Sequence, residues 1–209
     1  MGLVKPGQRR PVEPEDADSL LLLDDPDPAR RRRAAMALGH GSEQGPAADM
    51  EAVRSLCARL DVEGDASVRE AVLTALVRIG TPEAVDGLLP FLNSEDAALR
   101  NGALESLQQM PPATVGPRVE SLLSDPDSDV RIFAVQLAGK IPHPMRLSWL
   151  TGVLERDAHV NVCLAAADAL AETGHPEALP SLERLNGRFP DDPFVAFSVE
   201  AARRRFHES

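Results

Sequence analysis

Residues 123–134 read LSDPDSDVRIFA, and this phrase decides the fold because its central five residues, DSDVR, belong to a motif that is repeated along the chain. In that motif, an acidic residue stands three positions before an apolar anchor residue, and an arginine follows the anchor. The same order occurs in DASVR at 65–69 and in DAALR at 96–100, and the three copies are 31 residues apart. A related copy, DPARR at 27–31, lies upstream. A period of this length predicts stacked supersecondary units.

The residues that follow each anchor predict an α-helix. After Val68, Leu99 and Val130, apolar or small side chains return at positions 3, 4, 7, 8 and 11, which is the spacing of one buried helix face. Gly or Pro stands at position 12, and a second apolar segment follows it. Because Gly and Pro end helices, each unit is predicted to contain two of them. We call the helix with the anchor helix B and the one before it helix A.

The phrase at 123–134 resembles the HEAT-like repeats found in phycobilin lyases and many bacterial proteins, and the resemblance covers roughly residues 18–206. It implies an all-α fold, a right-handed α-solenoid of about six HEAT-like helix pairs in which each pair covers the apolar face of its neighbour. Residues 1–17 are polar and Pro-rich, so a disordered N-terminal tail is expected there. Residues 207–209 are expected to form a short C-terminal tail.

The resemblance also implies a structural ladder at the turns, in which Asp and Arg of the phrase connect neighbouring repeats. The candidate pairs are Asp65 with Arg69, Asp96 with Arg100, and Asp127 with Arg131. The fifth repeat departs from this pattern, since Asn161 or Cys163, depending on register, stands where the arginine is expected. Its interface is therefore expected to be the weakest of the ladder, or to be locally re-registered.

Composition limits the classes of partner. The chain has 209 residues, 43% of them apolar, and a formal charge of −11, which repels nucleic acids and anionic membranes. Its two cysteines are too few for a disulfide framework, and no stretch approaches the ~20 apolar residues of a membrane span. A cytoplasmic protein without a membrane partner is expected, and a nucleic-acid partner is disfavoured.

The sequence offers no recognisable catalytic or metal-binding constellation. HEAT-type deoxyhypusine hydroxylases hold iron with His-Glu dipeptides on successive repeats, but here the single His-Glu pair is His207-Glu208 near the end of the chain. The five histidines do not recur with carboxylate partners, and Cys163 with His159 lacks a third group. No enzyme activity, no metal site and no cofactor are therefore predicted.

The exposed positions of the B helices predict a surface for another protein, because such helices commonly line the binding face of a solenoid. The candidate partner-binding residues are Glu70, Thr74, Arg78, Asn101, Glu105, Gln108, Ile132, Gln136, Lys140, Leu164 and Asp168. The predicted function is a scaffold or adaptor that binds a protein or peptide there. Two alternatives stay open: a chromophore or protein lyase of the phycobilin-lyase type, and a nucleic-acid binder that uses the arginine runs at 30–33 and 203–205.

Overall fold

The computed structural model describes residues 16–40 and 46–208 of the chain. Within these residues it contains twelve α-helices, two short 3₁₀ segments and no strand. The predicted N-terminal tail falls outside the described residues up to position 15, and helix α1 begins at Asp16. The last helix continues to Glu208, so residues 207 and 208 are helical where a tail is predicted.

The helices alternate between the A and B types that the repeat predicts. The A helices are α1 (Asp16–Leu22), α3 (Pro46–Val62), α5 (Pro82–Leu88), α7 (Pro112–Leu122), α9 (Arg146–Arg156) and α11 (Leu179–Arg188). The B helices are α2 (Pro28–Leu38), α4 (Ala66–Ile79), α6 (Ala97–Gln109), α8 (Ser128–Lys140), α10 (Val160–Thr173) and α12 (Pro193–Glu208). The 3₁₀ segments Leu89–Asn93 and Pro176–Ala178 extend α5 and precede α11. The all-α fold of about six HEAT-like helix pairs is thus confirmed.

The chain divides into two compact units between Ile79 and Gly80. In the first unit, α2 packs on α4, and each of these B helices also contacts its own A helix. The helices α2 and α4 approach closely where Gly39 meets Ala75. A Cβ at position 39 would lie only 2.7 Å from the backbone of Ala75, so glycine is needed there. Buried Ala35 and Val72 belong to the core of this unit.

In the second unit, the B helices α6, α8, α10 and α12 contact one another in chain order, and α5 with α7 and α9 with α11 do so in the A layer. Small residues again allow close approach, since a Cβ on Gly139 of α8 would lie 2.9 Å from that of Ala169 on α10. Leu137, Ile141 and Leu170 are fully buried in this unit. Burying a side chain of this size contributes roughly 1.5–3 kcal/mol.

Helix ends follow the chemistry of the phrase. Asp27, Asp96 and Asp127 each accept a hydrogen bond of 2.9 Å from the backbone N–H two residues on, which satisfies a free donor at the start of helix B. Gly80 and Gly174 adopt left-handed backbone with φ of 58° and 68°, as helix C-terminal glycines do. No helix among the described residues is both long and apolar enough to span a membrane.

Candidate functional site

The arginine that follows each anchor binds the turn in front of its own helix. Its guanidinium donates to the backbone carbonyl six residues earlier in four successive repeats. These bonds are Arg31 to Asp25 (2.9 Å), Arg69 to Glu63 (2.5 Å), Arg100 to Ser94 (2.6 Å) and Arg131 to Asp125 (2.9 Å). The aspartates Asp27, Asp96 and Asp127 cap helix B. The arginines therefore fix the entry into helix B, and the structural ladder of Asp65, Asp96 and Asp127 with Arg69, Arg100 and Arg131 stays a prediction.

Arg31 and Arg131 also reach the next repeat. Arg31 donates to both carboxylate oxygens of Glu63 at 2.8 and 2.9 Å, and Arg131 does the same to Asp157 at 2.7 and 3.0 Å. Arg59 adds a second cation 3.0 Å from Glu63, whose side chain is only 1% exposed. The connection between neighbours thus runs from the arginine of one repeat to an acid five positions before the next anchor. We call this position the bridging acid.

Both bridging acids are held in the charged form. Hydrogen bonds from Arg31 lower the pKa of Glu63 despite its burial. For Asp157, burial favours the neutral acid, but hydrogen bonds from Arg131 and from the backbone N–H of His159 outweigh it and lower the pKa. A buried carboxylate that is paired in this way makes the contact between repeats dependent on charge.

The fifth repeat replaces its missing arginine with one from another helix. Cys163 occupies the arginine position, because its Sγ lies 3.4 Å from the carbonyl oxygen of Asp157, six residues earlier. Arg188 of α11 donates to that same carbonyl and to the carbonyl of Leu154, and lies 3.5 Å from the Cys163 sulfur. Burial raises the pKa of the Cys163 thiol. This turn, expected to be the weakest, is therefore bridged by a different side chain.

Sequence reasoning missed Glu63, Asp157 and Arg188. A signal for the first two exists, since the position five residues before the anchor is acidic in four of six repeats: Asp25, Glu63, Asp125 and Asp157, with Ser94 and Pro190 as the exceptions. No periodicity points to Arg188, because it lies outside the phrase. Its role depends on a side chain that crosses from α11 to the turn before α10.

The predicted partner-binding residues all lie on B helices, and most are exposed. Glu70, Thr74 and Arg78 lie on α4 in the first unit, and the other eight lie in the second unit. Gln108, Ile132 and Leu164 are half-buried. Ile132 lines a shallow depression of about 330 Å³ together with Arg100. The structure thus offers a polar B-helix surface with a recess in which Ile132 and Phe133 lie among polar and charged side chains.

Charged groups concentrate at one end of these B helices. Lys140 of α8 donates to Glu172 of α10 at 2.8 Å. Desolvation raises the pKa of nearby Asp168, while Arg205 opposes this rise and Glu172 adds to it. Lys140 therefore forms an exposed ion pair between α8 and α10, whereas the surroundings of Asp168 favour the neutral acid.

A cleft of about 410 Å³ lies between α7 and α9 in the second unit. Trp149 forms one wall, and its ring stacks on His143 with centroids 4.4 Å apart and planes 15° from parallel. The indole Nε1 is buried without a hydrogen-bond partner. Glu120, Arg156 and Asp157 supply charge, two negative and one positive. The cleft offers an aromatic wall beside charges of both signs, and Asp157 is already paired with Arg131.

A second groove, of about 490 Å³, lies along α1 and α2 in the first unit. Leu22 and Met36 give it apolar walls, and its charged and ionisable groups are Arg30, Arg33 and His40. Arg30 is 2.7 Å from Asp25, while the exposed Arg33 makes no ion pair with any residue that the structure describes. This groove therefore combines apolar surface with positive charge, in contrast to the α7–α9 cleft.

Four arginines of the two runs are already paired with carboxylates, which reduces the positive charge that a nucleic acid could use. In the first run, Arg31 binds Glu63 and Arg30 binds Asp25. In the second, Arg203 lies 2.7 Å from Glu183 of α11, and Arg204 lies 3.1 Å from Glu200. Phosphate tracking needs cations that are not already neutralised by carboxylates.

The fold and the turn contacts define a repeat protein of stacked helix pairs, joined by arginine bridges. A family model of HEAT repeats matches residues 18–108 and 116–201, and the chain belongs to this family. The chain of a solved complex of CpcE and CpcF, from the phycocyanin lyase of Nostoc, is similar over all of this chain and 99% of its own length. That likeness has 18% identity and a TM-score of 0.38.

Curated relatives extend the comparison to a biological process. The chain is 31% identical over 157 residues to the bilin biosynthesis protein PecE of Mastigocladus laminosus, covering 73% of this chain and 54% of PecE. It is 26% identical over 165 residues to an uncharacterised phycocyanin operon protein Z of Pseudanabaena tenuis, covering 75% of this chain and 81% of that protein. A PecE protein of Nostoc is 28% identical, and the chain spans 58% of it.

These relatives correct one prediction from the sequence. A non-catalytic scaffold is predicted because no catalytic constellation can be recognised, yet two of the matched proteins are bilin biosynthesis proteins. The prediction that the chain is not an enzyme is therefore wrong, and the lyase alternative is the better supported. The reason for the error is physical: a repeat phrase encodes helix packing and says little about a ligand that sits between helices.

Proposed function

We propose that this chain acts in bilin biosynthesis as a protein of the bilin-lyase type, which binds a linear tetrapyrrole and delivers it to an acceptor protein. The similarity to PecE carries the proposal, since it extends over 73% of this chain. The chain spans about half of that relative. The proposed bilin handling therefore belongs either to this chain alone or to this chain together with a partner protein.

The chemistry of the grooves supports a tetrapyrrole ligand. A bilin is a flat conjugated molecule with pyrrole N–H donors, carbonyl acceptors and carboxylate side chains. The two grooves, of about 410 and 490 Å³, fall within the ~300–1,000 Å³ of small-molecule sites. Each groove offers apolar side chains for the conjugated rings and a few charged groups for the polar substituents of such an amphipathic ligand.

The B-helix surface supports the delivery step. A lyase must hold the protein that receives the bilin, and stacked helix pairs commonly provide an extended surface for such a partner. In the second unit, exposed Asn101 and Gln136 lie on successive B helices, and half-buried Ile132 lines the recess beside them. An apolar side chain of the acceptor would gain burial in that recess.

The direct test is bilin transfer. The purified chain is incubated with the bilin of phycocyanin and a phycocyanin subunit that lacks it, and bilin that stays on the acceptor in a denaturing gel is measured over time. We expect the chain to raise the initial rate above that of the spontaneous reaction. Equal rates with and without the chain, together with an unchanged bilin absorption spectrum, would refute the proposal.

A surface variant separates delivery from bilin binding. The triple substitution Asn101→Ala, Ile132→Ala and Gln136→Ala should slow transfer while the bilin spectrum of the chain is retained. The matched control changes three exposed A-helix residues of the same unit, Glu83→Ala, Ser121→Ala and Asn186→Ala, and should leave transfer unchanged. If both triple variants behave like the parent chain, the acceptor does not use the B helices.

A further inference from the structure

The geometry points to the groove along α1 and α2 as the site that binds the propionate carboxylates of the bilin, with Arg33 as their main ligand. This inference rests on the proposed function and specifies where and how the substrate is recognised. It gives a role to the arginine run at 30–33, whose cations at the start of helix α2 oppose the helix dipole and so do not stabilise that helix.

Within this run, the structure assigns different tasks to different arginines. Arg31 is part of the buried bridge to Glu63, and Arg30 is paired with Asp25. Arg32 is exposed and is not among the residues that line the groove, whereas Arg33 is exposed and lines it. Arg33 is thus positioned to meet a ligand, and Arg32 serves as a control one residue away.

A second, independent observation comes from the wall of the groove. Ser19 of α1 is 1% exposed, and its hydroxyl is buried without a hydrogen-bond partner. Buried polar atoms are nearly always satisfied in proteins, so this hydroxyl leaves an unused donor in a residue that lines the groove. A carboxylate or carbonyl oxygen of a ligand seated there would accept from it.

Charge complementarity favours this groove over the α7–α9 cleft. A bilin carries two carboxylates, and guanidinium groups bind carboxylates through paired, charge-assisted hydrogen bonds. Among the described lining residues of the α1–α2 groove, Arg30 is paired with Asp25, Arg33 makes no ion pair and none is acidic, while Leu22 and Met36 suit the conjugated rings. The α7–α9 cleft offers no surplus positive charge, because Arg131 already pairs with Asp157 and Glu120 balances Arg156.

The test uses two probes that differ only at their propionate groups. Biliverdin is a linear tetrapyrrole with two free propionates, and its dimethyl ester is neutral. Binding to the full chain is followed by the absorption change of the tetrapyrrole. We expect the ester to bind about 10- to 100-fold more weakly than biliverdin, which is the scale of a hydrogen bond between charged groups.

The variants locate the carboxylates. Arg33→Gln should weaken biliverdin binding about 10- to 100-fold and leave ester binding unchanged, while Arg32→Gln should bind both probes as the parent chain does. Ser19→Ala removes a hydroxyl that has no partner, so it should fold normally and weaken biliverdin binding severalfold. Circular dichroism of each variant verifies folding.

Other outcomes separate the inference from the proposed function. Tight biliverdin binding that responds equally to Arg33→Gln and Arg32→Gln would overturn the inference and leave bilin handling intact. Loss of binding in Arg156→Gln but not in Arg33→Gln would place the bilin in the α7–α9 cleft and also overturn it. Failure of the parent chain both to bind biliverdin and to accelerate transfer would refute the proposed function itself.

Discussion

The two units connect neighbouring repeats with the same pair of positions but with different surroundings. In the first unit, Arg31 and Arg59 both contact Glu63, so two cations depend on one carboxylate that is 1% exposed. In the second unit, Arg131 binds Asp157, which is 7% exposed, and Arg188 directs its donors to backbone carbonyls. The comparison teaches that one bridge relies on the charge of a single buried acid, whereas the other is shared between an ion pair and neutral acceptors.

The largest effect is expected when Glu63 loses its charge. Glu63→Gln keeps the shape of the side chain but removes the ion pair of Arg31 and leaves Arg59 with the exposed Asp24, 3.5 Å away. Removing one partner of a buried ion pair typically costs about 3–5 kcal/mol, so the free energy of unfolding should fall by about that amount. Urea denaturation followed by circular dichroism measures the loss.

The control for this variant is Glu51→Gln, which neutralises an exposed glutamate of α3 in the same unit. It should change the free energy of unfolding by less than about 0.5 kcal/mol, as most surface substitutions do. If both variants lose the same stability, the buried bridge is not what connects the two repeats, and the contrast between the units disappears.

A smaller loss is expected from Arg188→Met. Methionine retains the apolar stem, but the carbonyls of Leu154 and Asp157 lose a donor, which costs about 1–3 kcal/mol for buried acceptors. Fluorescence of Trp149, the single tryptophan, reports unfolding near this turn. Arg184→Met on the same helix removes the exposed pair with Glu155 and a hydrogen bond to the hydroxyl of Ser181, and should cost less than about 1 kcal/mol. Equal losses would mean that Arg188 does not substitute for the missing arginine.

The next prediction restores the repeat consensus at Cys163. In the parent chain, Cys163→Arg adds a large cation beside Arg188 and should destabilise the unit by about 1–3 kcal/mol through overpacking. In the Arg188→Met background, the new arginine can reach the Asp157 carbonyl, as arginines at this position do in the other repeats. The double-mutant cycle should therefore show a favourable coupling of about 1 kcal/mol or more. Additive losses would indicate that the two positions do not serve the same carbonyl.

These turns also show what a sequence can reveal about this fold. The helices and their caps could be predicted because anchors, stripes and turn residues recur locally, from Val68 to Val162. The partner of each arginine could not be inferred from the phrase, since Asp127 is equally suited to cap its own helix or to bind Arg131. Burial and backbone hydrogen bonding decide between these roles, and both depend on how neighbouring repeats stack.

The candidate grooves were less predictable than the fold. Arg33 stands in a run of four arginines, and the sequence does not distinguish it from Arg31, which faces the buried bridge. Trp149 and His143 likewise give no sign that they stack. A groove arises where side chains of adjacent helices fail to meet, so its lining has no periodic signature.

The smallest effect that separates the two bridges is the response to acid. Glu63 and Asp157 both have lowered pKa values in the folded chain, so each adds stability above its ordinary pKa of about 4 and loses it as the pH falls through the folded value. Trp149 fluorescence reports the second unit, where Asp157→Asn should flatten the fall in stability between pH 6 and pH 3. Asp191→Asn, in an exposed turn of the same unit, should follow the parent curve. Because Arg188 binds carbonyls that do not titrate, part of the second bridge survives acid. The pH dependence of stability should therefore be flattened less by Asp157→Asn than by Glu63→Gln, which circular dichroism follows. A stronger effect for Asp157→Asn would mean that its ion pair, not the backbone contacts of Arg188, dominates the second bridge.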